Sequence, residues 1–291
     1  MNKYALNAVK FLYQHYENSK KYVADSEYYN EYNEEKIYHS MQVIGAMKYI
    51  MKHEKTFQNR DETFLNCAKI ATILHDVGRF EEIKRLYDAE KNRNKKDSLW
   101  NSNLNHGYIG YEILKNSAEY NDPRIYIPVK HHGNMIEELY ADEEFATIRD
   151  EKLKKDIIEI IFLVRDADKT ANFYLMTNGR HNKFPHVFKN DFSEKDNARP
   201  ISPEALEEFT GFQVVGRENA YNYATRYLNV LSWIFDINYL PSFDLIIKNG
   251  SLSKMADIVF DNACDEAAQE VIENAVADYL KMRYDEKIRE L

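Results

Sequence analysis

Nine histidines occur in the 291-residue chain, and five of them fall in an ordered set with carboxylates. The order is His39, His75-Asp76, His106, His131-His132 and then Asp166 or Asp168. Imidazole and carboxylate together suit a divalent transition metal such as Mn, Fe, Co, Ni or Zn. The two cysteines, Cys67 and Cys264, lie far apart, which disfavours a thiolate zinc site and a disulfide framework alike. Ligands so scattered can serve one ion only if several helices bring them to a point. Adjacent helical residues point about 100° apart, so His75 and Asp76 can flank an ion only near a helix end. Gly78 supplies such an end. A His-Asp pair closing an apolar helix is also costly to bury without a partner. His39 alone, or His131-His132 alone, says little; the joint order and context carry the reading.

The positioning elements read as helices. Only 9 Gly and 6 Pro punctuate the chain, so an all-α fold is expected. Ile37, Met41, Ile44, Met47 and Met51 recur at three- and four-residue steps, one face of a helix. The run from Phe64 to Leu74 is nearly all apolar and reads as a buried helix ending at His75-Asp76-Val77-Gly78. Helical periodicity continues over 108–114, 125–129 and 153–175, the last carrying Arg165-Asp166-Ala167-Asp168-Lys169. Residues 176–201 are rich in Asn, Lys, Asp and Phe, with Gly and Pro breakers, and read as a loop or flap. Ser202 and Pro203 read as an N-cap and first helical residue, and further helices are expected around 221–235, 242–248 and 261–283. With no linker in view, the chain reads as one helical domain over 1–291, with a C-terminal helical extension over 202–291.

Composition sets the class. Hydrophobic residues make up 44% and charged residues 30%, the balance of a globular protein. A net charge of −9 argues against an extended nucleic-acid surface while leaving room for a local basic phosphate pocket. No apolar run approaches the roughly 20 residues that cross a bilayer, and the N-terminus lacks a signal-peptide core. A cytoplasmic protein with no membrane partner is expected.

The pattern His39 … His75-Asp76 … Asp168 resembles the HD superfamily of metal-dependent phosphohydrolases, whose metal-binding core is a helical bundle. The resemblance covers roughly residues 30–175. The strings LHDVGRFE and VRDADKTANF, with ISPEALEEF and LSWIFDINY downstream, look like a bacterial HD branch of unassigned substrate. The resemblance implies that His39, His75, Asp76 and Asp168 bind metal, the last through its Ala167-Asp168-Lys169 context. It implies too that Asp76 bridges two ions, and that His106, His131 and His132 match the extra histidines of binuclear members such as the HD-GYP phosphodiesterases. Arg79 matches a basic position that faces the scissile phosphate in that group. Lys130 and Lys169 are weaker candidates for the same work.

Departures limit the substrate. Gly133-Asn134-Met135 follows the histidine pair where the cyclic-dinucleotide enzymes carry Gly-Tyr-Pro. Arg79-Phe80 stands where stringent-response hydrolases carry an acidic pair and HD 5′-nucleotidases a glutamate. The expectation is hydrolysis of a phosphate ester, of a nucleotide or similar small phosphorylated metabolite, using one or two ions. Asp76, Arg79 and Lys130 are the catalytic candidates, and homo-oligomerisation is compatible with the reading. Its rivals are a di-iron oxygenase of the same fold and a non-catalytic nucleotide sensor.

Overall fold

A computed structural model of the chain describes residues 2–91, 105–187, 192–262 and 266–289. Every regular element among the described residues is helical, and none is a strand. Two compact units divide the chain, Met1–Ala171 and Asn172–Leu291.

The first unit begins with α1 (Lys3–Tyr22), α2 (Glu27–His53) and the short α3 (Lys55–Gln58). It continues through α4 (Glu62–Leu74), α5 (Arg79–Lys91), α6 (His106–Lys115) and α7 (Pro123–His131). Two five-residue helices, α8 (Ile136–Tyr140) and α9 (Glu143–Thr147), lead into α10 (Glu151–Thr177). The apolar run of α4 explains its place: Phe64, Ala68, Ala71, Ile73 and Leu74 are all buried. Asp61 caps it, accepting the Phe64 N–H at 2.9 Å, an interaction typically worth about 1 kcal/mol. Helices α1, α2 and α7 all pack on α4. The C-terminal end of this helix therefore delivers His75 and Asp76 into the interior of the unit, where both are buried.

Glycine brings the neighbouring segments close. A Cβ on Gly78 would lie 2.0 Å from the His106 carbonyl oxygen and 2.5 Å from the Gly110 nitrogen. A Cβ on Gly107 would lie 2.7 Å from the Lys130 carbonyl oxygen. Only residues without a side chain allow the turn after Asp76, the start of α6 and the end of α7 to share this space.

The second unit holds the end of α10, α11 (Arg180–Lys183), α12 (Glu194–Asn197), α13 (Pro203–Thr210), α14 (Tyr223–Leu231), α15 (Leu240–Lys248), α16 (Ser251–Asn262) and α17 (Glu266–Arg289). It has its own core, including Phe173, Phe209, Leu228, Phe243, Met255 and Ile272. Ser202 caps α13 as expected, its hydroxyl accepting the Ala205 N–H at 3.1 Å.

The structure departs from the sequence reading in particular places. A second core lies where only a helical extension was expected, and the division falls inside α10 rather than in a linker, so composition does not mark it. Within the expected loop at 176–201, α11 and α12 each form about one helical turn; residues 188–191 lie outside the described residues. The helix expected over 261–283 is instead the end of α16 and a new helix starting at Glu266. Cys264 lies outside the described residues, and Cys67 is buried with a free thiol.

Candidate metal centre

Helix α2 contributes His39, the end of α4 His75 and Asp76, the first residue of α6 His106, the end of α7 His132, and α10 Asp168. These six side chains meet inside the first unit. His39 Nε2 lies 2.8 Å from Asp168 Oδ1, and His75 Nε2 lies 3.8 Å from the same oxygen. The His39 and His75 ring centroids are 5.5 Å apart. Asp76 divides its carboxylate between two pairs of imidazoles. Its Oδ2 lies 3.9 Å from His39 Nε2 and 3.8 Å from His75 Nε2. Its Oδ1 lies 3.4 Å from His106 Nε2 and 3.6 Å from His132 Nε2. His106 and His132 face each other Nε2 to Nε2 at 3.2 Å. Two sets of three ligand atoms are each close enough to hold one ion: His39, His75 and Asp168, and His75, Asp76 and His132.

Backbone carbonyls set the tautomers. His75 Nδ1 lies 2.9 Å from the Thr72 carbonyl oxygen, and His132 Nδ1 lies 2.8 Å from that of Val129. A carbonyl only accepts, so each Nδ1 carries the proton and each Nε2 turns a bare lone pair inward. His75 Nε2 is buried with no hydrogen-bond partner among the described residues. An orphaned buried acceptor is costly, and a cation satisfies it. Outer-shell hydrogen bonds of this kind accompany metal-ligating histidines.

The charge states fit a cation as well. Burial pushes the His75 imidazole down to about 4, although Asp76 acts against it. His106 is also held well below its usual value, by burial and then by the Arg79 charge. Burial works to raise the Asp76 carboxyl, yet His75, His132, Arg79 and His106 together hold it well below the carboxylate range. Asp168 is likewise lowered against the effect of burial, chiefly by His39. Neutral imidazoles beside ionised carboxylates are the protonation states that metal ligands require.

Arg79 opens α5 at the edge of this cluster. Its Nε lies 3.5 Å from Asp76 Oδ1 and its Nη1 2.8 Å from Glu82 Oε2. Burial disfavours its charge, but Asp76, Tyr32 and Glu82 keep it protonated. Lys36, absent from the sequence reading, sits one turn before His39 on α2, with its side chain 12% exposed and its Nζ paired with Glu35 Oε2 at 3.1 Å. Its spacing from His39 was the available signal, since residues three apart share a helix face.

Other expectations need correcting. His131 is not in the cluster; its Nε2 lies 3.0 Å from Asp142 Oδ2. Lys130 reaches the same oxygen at 2.5 Å and lies over the Tyr111 ring, so it does not face the cluster either. Adjacent residues at the end of α7 point different ways, and His132 alone of the pair turns inward. Asp166 is fully buried, about 200° around α10 from Asp168. A cavity of about 500 Å³ lined by His15, Phe80, Lys84 and Tyr108, among others, includes none of the cluster residues.

Residues 37–172 match the family model of the HD domain. The chain carries an HD domain. The match opens just before His39 and closes just after Asp168, so it spans the whole cluster. The match is consistent with the HD superfamily, whose members include metal-dependent phosphohydrolases. No curated protein and no solved structure matched the chain. No helix among the described residues is long and apolar enough to cross a membrane.

Proposed function

We propose that this HD-domain protein hydrolyses a phosphate ester of a nucleotide or similarly small phosphorylated metabolite, using two divalent transition-metal ions. The supporting observation is the division of Asp76, with one carboxylate oxygen toward His39 and His75 and the other toward His106 and His132. His39, His75, Asp76 and Asp168 would hold one ion; Asp76, His106 and His132 would hold the other. Bound ions of this kind supply Lewis-acid charge at phosphoryl oxygens and lower the pKa of a coordinated water.

The remaining work belongs to the chain's own groups. Arg79, held by Asp76 and Glu82, offers a fixed guanidinium to the non-bridging oxygens as negative charge builds on them. Asp168 and His106 are the more exposed members of the cluster, with side chains 23% and 17% exposed, and mark the side from which substrate enters. The test is a turnover screen of nucleotides, cyclic dinucleotides and sugar phosphates, with Mn, Fe, Co or Ni restored after chelation. Metal-dependent release of phosphate or a nucleoside monophosphate is expected. Tight nucleotide binding without turnover under every metal would replace this reading with a sensor.

A further inference from the structure

His132 presents its Nε2 to the cluster only while the last turn of α7 holds one conformation. The ring is oriented by its bond to the Val129 carbonyl within that same turn, so a twist over 129–132 moves Nε2 directly. One helical hydrogen bond is missing just before this turn. Pro128 lies inside α7 and has no N–H for the carbonyl four residues back. His132 is the C-cap, where the last carbonyls run out of intrahelical donors.

Two charged side chains hold the turn from outside α7. Asp142 Oδ2 lies 2.5 Å from Lys130 Nζ and 3.0 Å from His131 Nε2. Its Oδ1 accepts the Phe145 N–H at 3.0 Å, which fixes the carboxylate at the start of α9. Arg165, three residues before Asp168 on α10, donates from Nη1 to the Asn134 carbonyl and, at 3.5 Å, to the His132 carbonyl. A cation at a helix C-terminus also complements the helix dipole. A partly exposed ion pair adds little net stability, but three donors converging on one carboxylate hold Lys130 and His131 in a single arrangement.

We propose that Asp142 is a positioning residue for His132, acting through Lys130 and His131, while Arg165 holds the same turn from α10. The inference rests on the two-ion reading, because His132 belongs to the second ligand set. Asp142 touches neither ion nor substrate in this account. It also gives Lys130 and His131 a task distinct from catalysis and metal ligation.

The test is manganese titration of the chelated full-length chain, comparing wild type with Asp142→Asn and Lys130→Met and checking fold by circular dichroism and thermal midpoint. Asp142→Asn is nearly isosteric and retains the oxygen that caps α9. It is expected to fold, to bind the first equivalent as wild type does, and to bind the second roughly 10–100-fold more weakly. Lys130→Met, which removes one of the three donors, is expected to weaken the second equivalent by less. A general structural defect would instead weaken both equivalents together. If wild type takes up two equivalents and the variants bind both with wild-type affinity, or weaken both alike, the positioning role is overturned and the two-ion reading stands. If wild type takes up only one, that reading fails and takes the positioning role with it. Should Asp142→Asn not fold, the Lys130→Met comparison decides by the same criteria.

Discussion

His106 and His132 meet Nε2 to Nε2 at 3.2 Å, inside the first unit and beside one oxygen of Asp76. His132 has its proton on Nδ1, bonded to the Val129 carbonyl, so its Nε2 brings a lone pair to this contact. Two imidazole nitrogens and a carboxylate oxygen gathered in this way form a cation site or an arrangement that a proton on His106 must hold together. Burial and Arg79 push the His106 imidazole down, so the ring is neutral. Its Nε2 either donates its proton to His132 or, in the other tautomer, presents a second lone pair to a cation.

The same shifts predict how the metal-free protein responds to acid. His75 stands at about 4 in the folded chain against an ordinary 6.5, and His106 is lowered too. Between those values the unfolded chain binds more protons than the folded one. Stability is therefore complete above about pH 6.5 and falls as pH drops toward 4. Urea midpoints of the chelated protein should decline between pH 7.5 and pH 5. A midpoint constant over that range contradicts buried, neutral histidines.

Gly78→Ala tests the close packing that delivers His106. The added Cβ meets two backbone atoms, the His106 carbonyl oxygen and the Gly110 nitrogen, and neither can swing away as a side chain would. A loss of at least the roughly 1–3 kcal/mol typical of overpacking is expected, with metal uptake reduced as the start of α6 shifts. Calorimetry and metal analysis check both. An unchanged melting temperature with full metal content would mean that the three segments are not so tightly apposed.

Much of this centre could be read from the sequence, for physical reasons that also explain what could not. Sparse glycine and proline, with apolar residues at helical spacing, led to helices over 37–51, 64–74 and 153–175, and α2, α4 and α10 cover them. His75-Asp76 stood out because it closes an apolar helix. Separating His131 from His132 was beyond the sequence, because the answer depends on how α7 ends. The clue is Asp142, eleven residues after His131, which draws that ring away from the cluster. Thr72 contributes only a carbonyl, which any residue would supply. The second core gave no signal because α10 runs unbroken through the division at Ala171.

Arg79 separates charge stabilisation from metal binding. Arg79→Met should lower kcat on the order of 100-fold, the usual cost of losing one such group, while metal content stays at the wild-type level. Arg79→Lys keeps a charge but lacks the planar fork that reaches Asp76 and Glu82 together, so it should recover only part of the loss. Steady-state kinetics on the best substrate from the screen, with metal analysis of each preparation, read out both effects. Metal loss in Arg79→Met would assign the arginine to holding Asp76 in place.

The most direct test of two ligand sets sharing Asp76 is the number of manganese equivalents bound per chain by wild type and by His106→Ala, each chelated and then saturated. His106 approaches Asp76 only through Oδ1, so its loss should spare the set formed by His39, His75 and Asp168. The account predicts about two equivalents in wild type and about one in the variant, the count of a paired-ion site reduced by half. One equivalent in wild type, or the same count in both proteins, would contradict it.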